Sequence, residues 1–120
     1  MTLNLKSTLL AATLALFGAS QAEAHAKLVH SDPAANATVS APKTLQLEFS
    51  EALSSKFSHF DLTDAGGNKV QLVAVDSKSS KVLQATPAAA LHPGTYKVSW
   101  TAVASDDGHK TSGTYSFTVQ

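Results

Sequence analysis

The stretch Leu91-His92-Pro93-Gly94-Thr95-Tyr96-Lys97-Val98-Ser99-Trp100 decides the fold. Its second half alternates. Tyr96, Val98 and Trp100 fall on one face and Lys97 and Ser99 on the other, the period-two pattern of a half-buried strand. Its first half has the spacing Leu-x-Pro-Gly-x-Tyr, which resembles the tyrosine corner of Greek-key sandwiches, where the phenol bonds to nearby backbone.

Outward from this strand the same alternation recurs. Thr44 to Ser50 sets Leu45, Leu47 and Phe49 against Gln46, Glu48 and Ser50, and Phe57 to Thr63 turns Phe60 and Leu62 away from His59 and Asp61. Asp64-Ala65-Gly66-Gly67-Asn68 tolerates positive φ and reads as a hairpin turn, with Lys69 to Val75 returning as the partner strand. Lys27 to His30, Lys81 to Thr86 and Gly113 to Val119 supply the remaining strands. Ser31-Asp32-Pro33, Ala34 to Pro42, Asp76 to Ser80 and Ala104 to Lys110 are the turns and loops between them. Glu51 to Lys56 reads as a single helical turn or a crossing loop. Seven short strands, turn signals roughly every ten residues and no long helical pattern predict an all-β fold. The expected architecture is a seven-stranded antiparallel Greek-key β-sandwich, immunoglobulin-like, in one domain.

The amino-terminal segment reads differently. Lys6 gives a short basic start, Leu9 to Phe17 form a nearly continuous apolar run, and Ala22-x-Ala24 puts small residues where a signal peptidase cuts. Residues 1–24 are therefore expected to be a cleaved signal peptide, leaving residues 25–120 as an exported, soluble domain. The apolar run is nearer a signal core than the roughly 20 residues a membrane span needs. With no cysteine in the chain, packing rather than disulfides must hold the fold. Nine lysines balance nine acidic residues for a net charge of zero, and they are scattered. No basic stripe points to nucleic acid or to an anionic membrane surface. Nothing suggests more than a monomer.

Cleavage after Ala24 would make His25 the first residue, and a terminal histidine can close one chelate ring on a metal through its α-amine and ring nitrogen. Equally, His25 can be no more than the residue next to the cleavage site. Asp107-Gly108-His109 sets a carboxylate and an imidazole two residues apart around a glycine, where a bent loop could aim both at one point. Alone it is also an ordinary turn. Together, a free amine, two imidazoles and a carboxylate are a nitrogen-rich set suited to the tetragonal geometry of Cu(II). The only methionine is Met1, so a chain starting at His25 has no sulfur ligand of the kind Cu(I) prefers. Zinc also accepts such a donor set.

His25-Ala26-Lys27-Leu28-Val29, Phe49-Ser50-Glu51, Leu91-x-Pro-Gly-Thr-Tyr-Lys-Val-Ser-Trp100 and Ser105-Asp106-Asp107-Gly108-His109 together resemble the CopC family of periplasmic copper-resistance and copper-carrier proteins. The match runs in order over the whole chain from His25. The resemblance implies a Cu(II) site with His25 as chelating terminus, His109 as second imidazole and Asp107 as carboxylate ligand, Asp106 being a neighbouring alternative. Glu51 matches an acidic position near that site and would be a weak or outer partner, or a surface charge. Some members carry a methionine-rich Cu(I) site, but Phe57 to Val75 has no Met, which implies a Cu(II)-only protein. Trp100 is expected in the core, near the metal by resemblance. His30, His59 and His92 are expected at the surface.

These residues imply a periplasmic protein, not an enzyme, that sequesters Cu(II) or hands it to a partner such as an inner-membrane copper importer. Binding would need the amine exposed and deprotonated, so affinity should fall as pH drops. Two rivals stand beside it. A terminal histidine on copper resembles the brace of oxidative polysaccharide monooxygenases, although an Asp ligand would fill a position that oxygen chemistry wants open. A metal-free immunoglobulin-like interaction module would make Asp107 and His109 a plain turn.

Overall fold

A computed structural model describes residues 25–120, and the signal-peptide reading falls outside them. Strand-forming alternation accounts for most of what it contains. Nine strands run in the order β1 (Leu28–Asp32), β2 (Thr38–Val39), β3 (Leu45–Phe49), β4 (His59–Thr63), β5 (Lys69–Val70), β6 (Leu72–Val75), β7 (Val82–Pro87), β8 (Gly94–Val103) and β9 (Lys110–Val119). They form a four-stranded sheet, β1-β3-β7-β6, and a five-stranded sheet, β2-β9-β8-β4-β5. The described residues contain no helix.

The inward residues of the two sheets meet in one core. Leu45, Leu47 and Phe49 of β3, Phe60 and Leu62 of β4, Tyr96 and Val98 of β8, and Phe117 and Val119 of β9 are all buried. Each such side chain contributes about 1.5–3 kcal/mol by leaving water. Phe49 meets Trp100 edge to face at 5.1 Å, and Tyr96 stacks on Phe117 at 5.7 Å. The corner ahead of β8 is as expected: the Tyr96 hydroxyl donates to the His92 carbonyl at 2.7 Å. At the Asp64 turn, the Asp64 carboxylate accepts the Gly66 and Asn68 N–H groups, and Gly67 has φ 81°.

Two features correct the sequence expectation of seven antiparallel strands. Lys69 to Val75 is not one strand: Lys69–Val70 pairs with β4, and Leu72–Val75 pairs with β7 in the other sheet. Both Val70 and Leu72 pack against the core, so the chain keeps its inward alternation while Gln71 bends it across the sandwich edge. The second feature is β2, which lies in the expected Ala34 to Pro42 loop and pairs parallel with the end of β9. It is held by backbone bonds from Asn36, Thr118 and Gln120, with partners some 80 residues away in sequence. Both β8 and β9 also run longer than their alternating cores, ten residues each. That extension carries their hairpin loop to one end of the sandwich.

Candidate metal centre

The β8–β9 ladder ends at Val103 opposite Lys110, and residues 104–109 close it. Within that loop Gly108 N–H donates to the Ala104 carbonyl and Ala104 N–H to the His109 carbonyl, each at 3.0 Å. Gly108 sits at φ 72°, a conformation a side chain would strain. Ser105 N–H donates to the Ala52 carbonyl at 3.0 Å, and Leu53 bridges Ala104, so the loop is docked on the segment after β3.

Inside this frame Asp107 and His109 form a unit. One carboxylate oxygen of Asp107 accepts the His109 backbone N–H at 3.0 Å, and the other lies 2.9 Å from His109 Nδ1. The hydrogen bond from the His109 ring holds the Asp107 carboxyl below the usual carboxylate range. With Nδ1 engaged, His109 keeps Nε2 for another partner. Asp106 is exposed and makes no such contact.

The start of the described chain reaches the same place. Ala26 is buried, its carbonyl accepting the Thr111 hydroxyl at 2.8 Å. Lys27 N–H donates to Ser50 Oγ, and Ser50 N–H donates back to the Lys27 carbonyl, both at 2.9 Å. So fixed, the His25 ring meets the His109 ring at 4.6 Å, with planes at 90°. Glu51 is half-buried on the flanking segment, between Ser50, which holds Lys27, and Ala52, which holds Ser105. It forms no ion pair among the described residues.

His25 and Asp107, both expected from the sequence, therefore each meet His109, and Glu51 stands on the adjoining segment. Among the described residues, no group of three or more His, Cys, Asp or Glu side chains is arranged to hold a metal ion. His30, His59 and His92 are exposed and none contacts this pair of imidazoles. Trp100 is half-buried and lies over Gly113, where an added Cβ would meet its ring at 2.6 Å. Sequence reading missed Thr111 and Ser50, which hold Ala26 and Lys27 in place. Ser50 lies inside the Phe-Ser-Glu motif, whereas nothing local to Thr111 announces a bond to a residue 85 positions earlier.

Comparison with known proteins shows the family and the fold. The CopC domain matches residues 28–120. The chain belongs to the CopC family. Copper resistance protein C of Xanthomonas campestris pv. juglandis is 40% identical to this CopC chain over 122 residues, covering 92% of it and 95% of the relative. Protein YobA of Escherichia coli K12 is 41% identical over 100 residues, covering 81% and 80%. The crystal structure of PcoC, a methionine-rich copper resistance protein from Escherichia coli, superposes with a TM-score of 0.75 at 38% identity, covering 81% of this CopC chain and all of that one. Unlike a methionine-rich protein, this chain has the single methionine Met1. The sandwich expected from the sequence is thus the fold of its relatives.

Proposed function

We propose that the protein, cleaved after Ala24 and exported to the periplasm, binds one Cu(II) ion as a monomer. It sequesters that ion or passes it to a partner such as an inner-membrane copper importer. The observation that carries this reading is the meeting of the His25 and His109 rings at 4.6 Å beside Asp107. As first residue, His25 would offer its amine and a ring nitrogen as one chelate. His109 adds a second imidazole. Asp107 adds a carboxylate oxygen, which lies 2.9 Å from His109 Nδ1 and so on the same side of that ring. Glu51 supplies an outer carboxylate.

This set contains nitrogen and oxygen and no sulfur, which favours Cu(II) over Cu(I). The copper-resistance names of the relatives support copper as the cargo. The role is carriage rather than catalysis, since amine, two imidazoles and carboxylate fill the tetragonal plane that oxygen chemistry would need open.

The test is a Cu(II) titration of protein beginning at His25, beside a form with one extra residue ahead of it. It is tracked by paramagnetic resonance and by emission of Trp100, the single tryptophan. We expect one tightly bound copper with a nitrogen-rich spectrum in the first form, and much weaker binding in the second. Equal affinity in both would remove the amine from the site. Absence of tight binding in either would leave a metal-free module.

A further inference from the structure

We infer that Thr111, assisted by Ser50, is a positioning residue for the amino-terminal chelate. Its hydroxyl anchors the peptide next to His25 so that the amine and ring of His25 are held facing His109. This deepens the copper reading above and rests on it. The His25 ring touches the His109 ring, but what fixes its backbone lies in the next two residues. Ala26 is 1% exposed, and its carbonyl takes the Thr111 hydroxyl at 2.8 Å. Lys27 exchanges two hydrogen bonds with Ser50, each 2.9 Å long.

These three bonds come from both sheets. Ser50 stands directly after β3, whereas Thr111 is the second residue of β9 and stands two positions beyond His109. The strand that leads out of the His109 loop thus also anchors the opposite half of the site. A terminus without that anchor must be ordered at the moment of binding, and ordering entropy is subtracted from affinity. The Ala26 carbonyl would also lose its partner in a buried setting.

The experiment replaces Thr111 by Val, which keeps the shape and removes the hydroxyl, and by Ser, which keeps the hydroxyl. Ser50→Ala is a second variant acting from the other sheet. In protein beginning at His25, Thr111→Val should raise the Cu(II) dissociation constant about tenfold, and Thr111→Ser should recover most of the loss. With one residue added ahead of His25, where the amine is no longer terminal, Thr111→Val should change affinity by less than about twofold. In metal-free protein the Lys27 amide should exchange faster with solvent in both Thr111→Val and Ser50→Ala. An equal loss in the extended form would make the effect one on folding and overturn the positioning role. Unchanged Lys27 exchange would overturn the anchor alone. Failure of the unsubstituted protein to bind Cu(II) would instead overturn the copper reading, and with it the purpose assigned to the anchor.

Discussion

At the scale of single residues, the Asp107–His109 pair is where charge and geometry meet. The His109 ring bonds one Asp107 oxygen, and the His109 N–H bonds the other, so the carboxylate is favoured in its charged form. A depressed carboxyl pKa in the folded state means the contact is present above the ordinary carboxylate range and is lost as pH falls through the depressed value. We expect the Asp107 carboxyl, monitored by carbon-13 resonance, to titrate at higher pH once His109 is replaced by Ala; an unmoved midpoint would refute this coupling. Asp107→Asn keeps the shape and removes the charge, and should weaken Cu(II) binding about ten- to hundredfold, the range found when partners of metal-ligating histidines are removed. A chelator-competition titration reads that loss. The Asp-Gly-His triplet was visible in the sequence as a bend with two ligand types. That both Asp107 oxygens would turn to His109 was not, because φ 72° at Gly108 and the docking of Ser105 on Ala52 set that direction.

At the scale of elements, the β8–β9 hairpin joins core to site, and its tightest point is Gly113. Paired with Trp100 across the ladder, Gly113 leaves the indole a seat that a methyl group would invade at 2.6 Å. The ring cannot withdraw freely, since its other neighbour is Phe49 at 5.1 Å. Gly113→Ala should therefore cost about 1–3 kcal/mol by overpacking and shift Trp100 emission, as urea denaturation read by fluorescence would report. A variant of wild-type stability with unshifted emission would contradict it. Elements whose reasons are local were legible in the sequence: β3, β4 and the cores of β8 and β9 alternate, and the Asp64 and Tyr96 turns carry their own chemistry. Elements whose reasons are distant were not. Two-residue β2 exists because the end of β9 offers it partners, and the break at Gln71 reflects which sheet edge each half can reach.

At the scale of the whole molecule, the sandwich is joined along the β1 side by Tyr115, which reaches from β9 toward Ser31 and Asp32. Its hydroxyl is buried with no hydrogen bond of good geometry. Burial is the main cause that pushes the phenol pKa up; the Ser31 hydroxyl pulls it down, and the Asp32 charge adds to the rise. A phenol whose pKa is higher folded than unfolded binds its proton more tightly in the native state. The stability it contributes is complete below about pH 10, the unfolded phenol value, and is lost as pH rises through the folded value. Lysines and Tyr96 lie in the same chain, so the diagnostic is a difference between variants. Tyr115→Phe should match or exceed the parent at neutral pH by up to about 1 kcal/mol, because it removes an unpaired buried hydroxyl. It should then lose less stability than the parent between about pH 9 and 11, as urea midpoints across that range would report. Parallel alkaline limbs in the two proteins would mean that Tyr115 ionises as freely in the fold as out of it. Tyr115 lies opposite Val98, five pairs along the ladder from the Val103–Lys110 end, or about 17 Å at strand rise. Cu(II) affinity at neutral pH should accordingly be the same in both proteins, separating what holds the sandwich together from what its end binds.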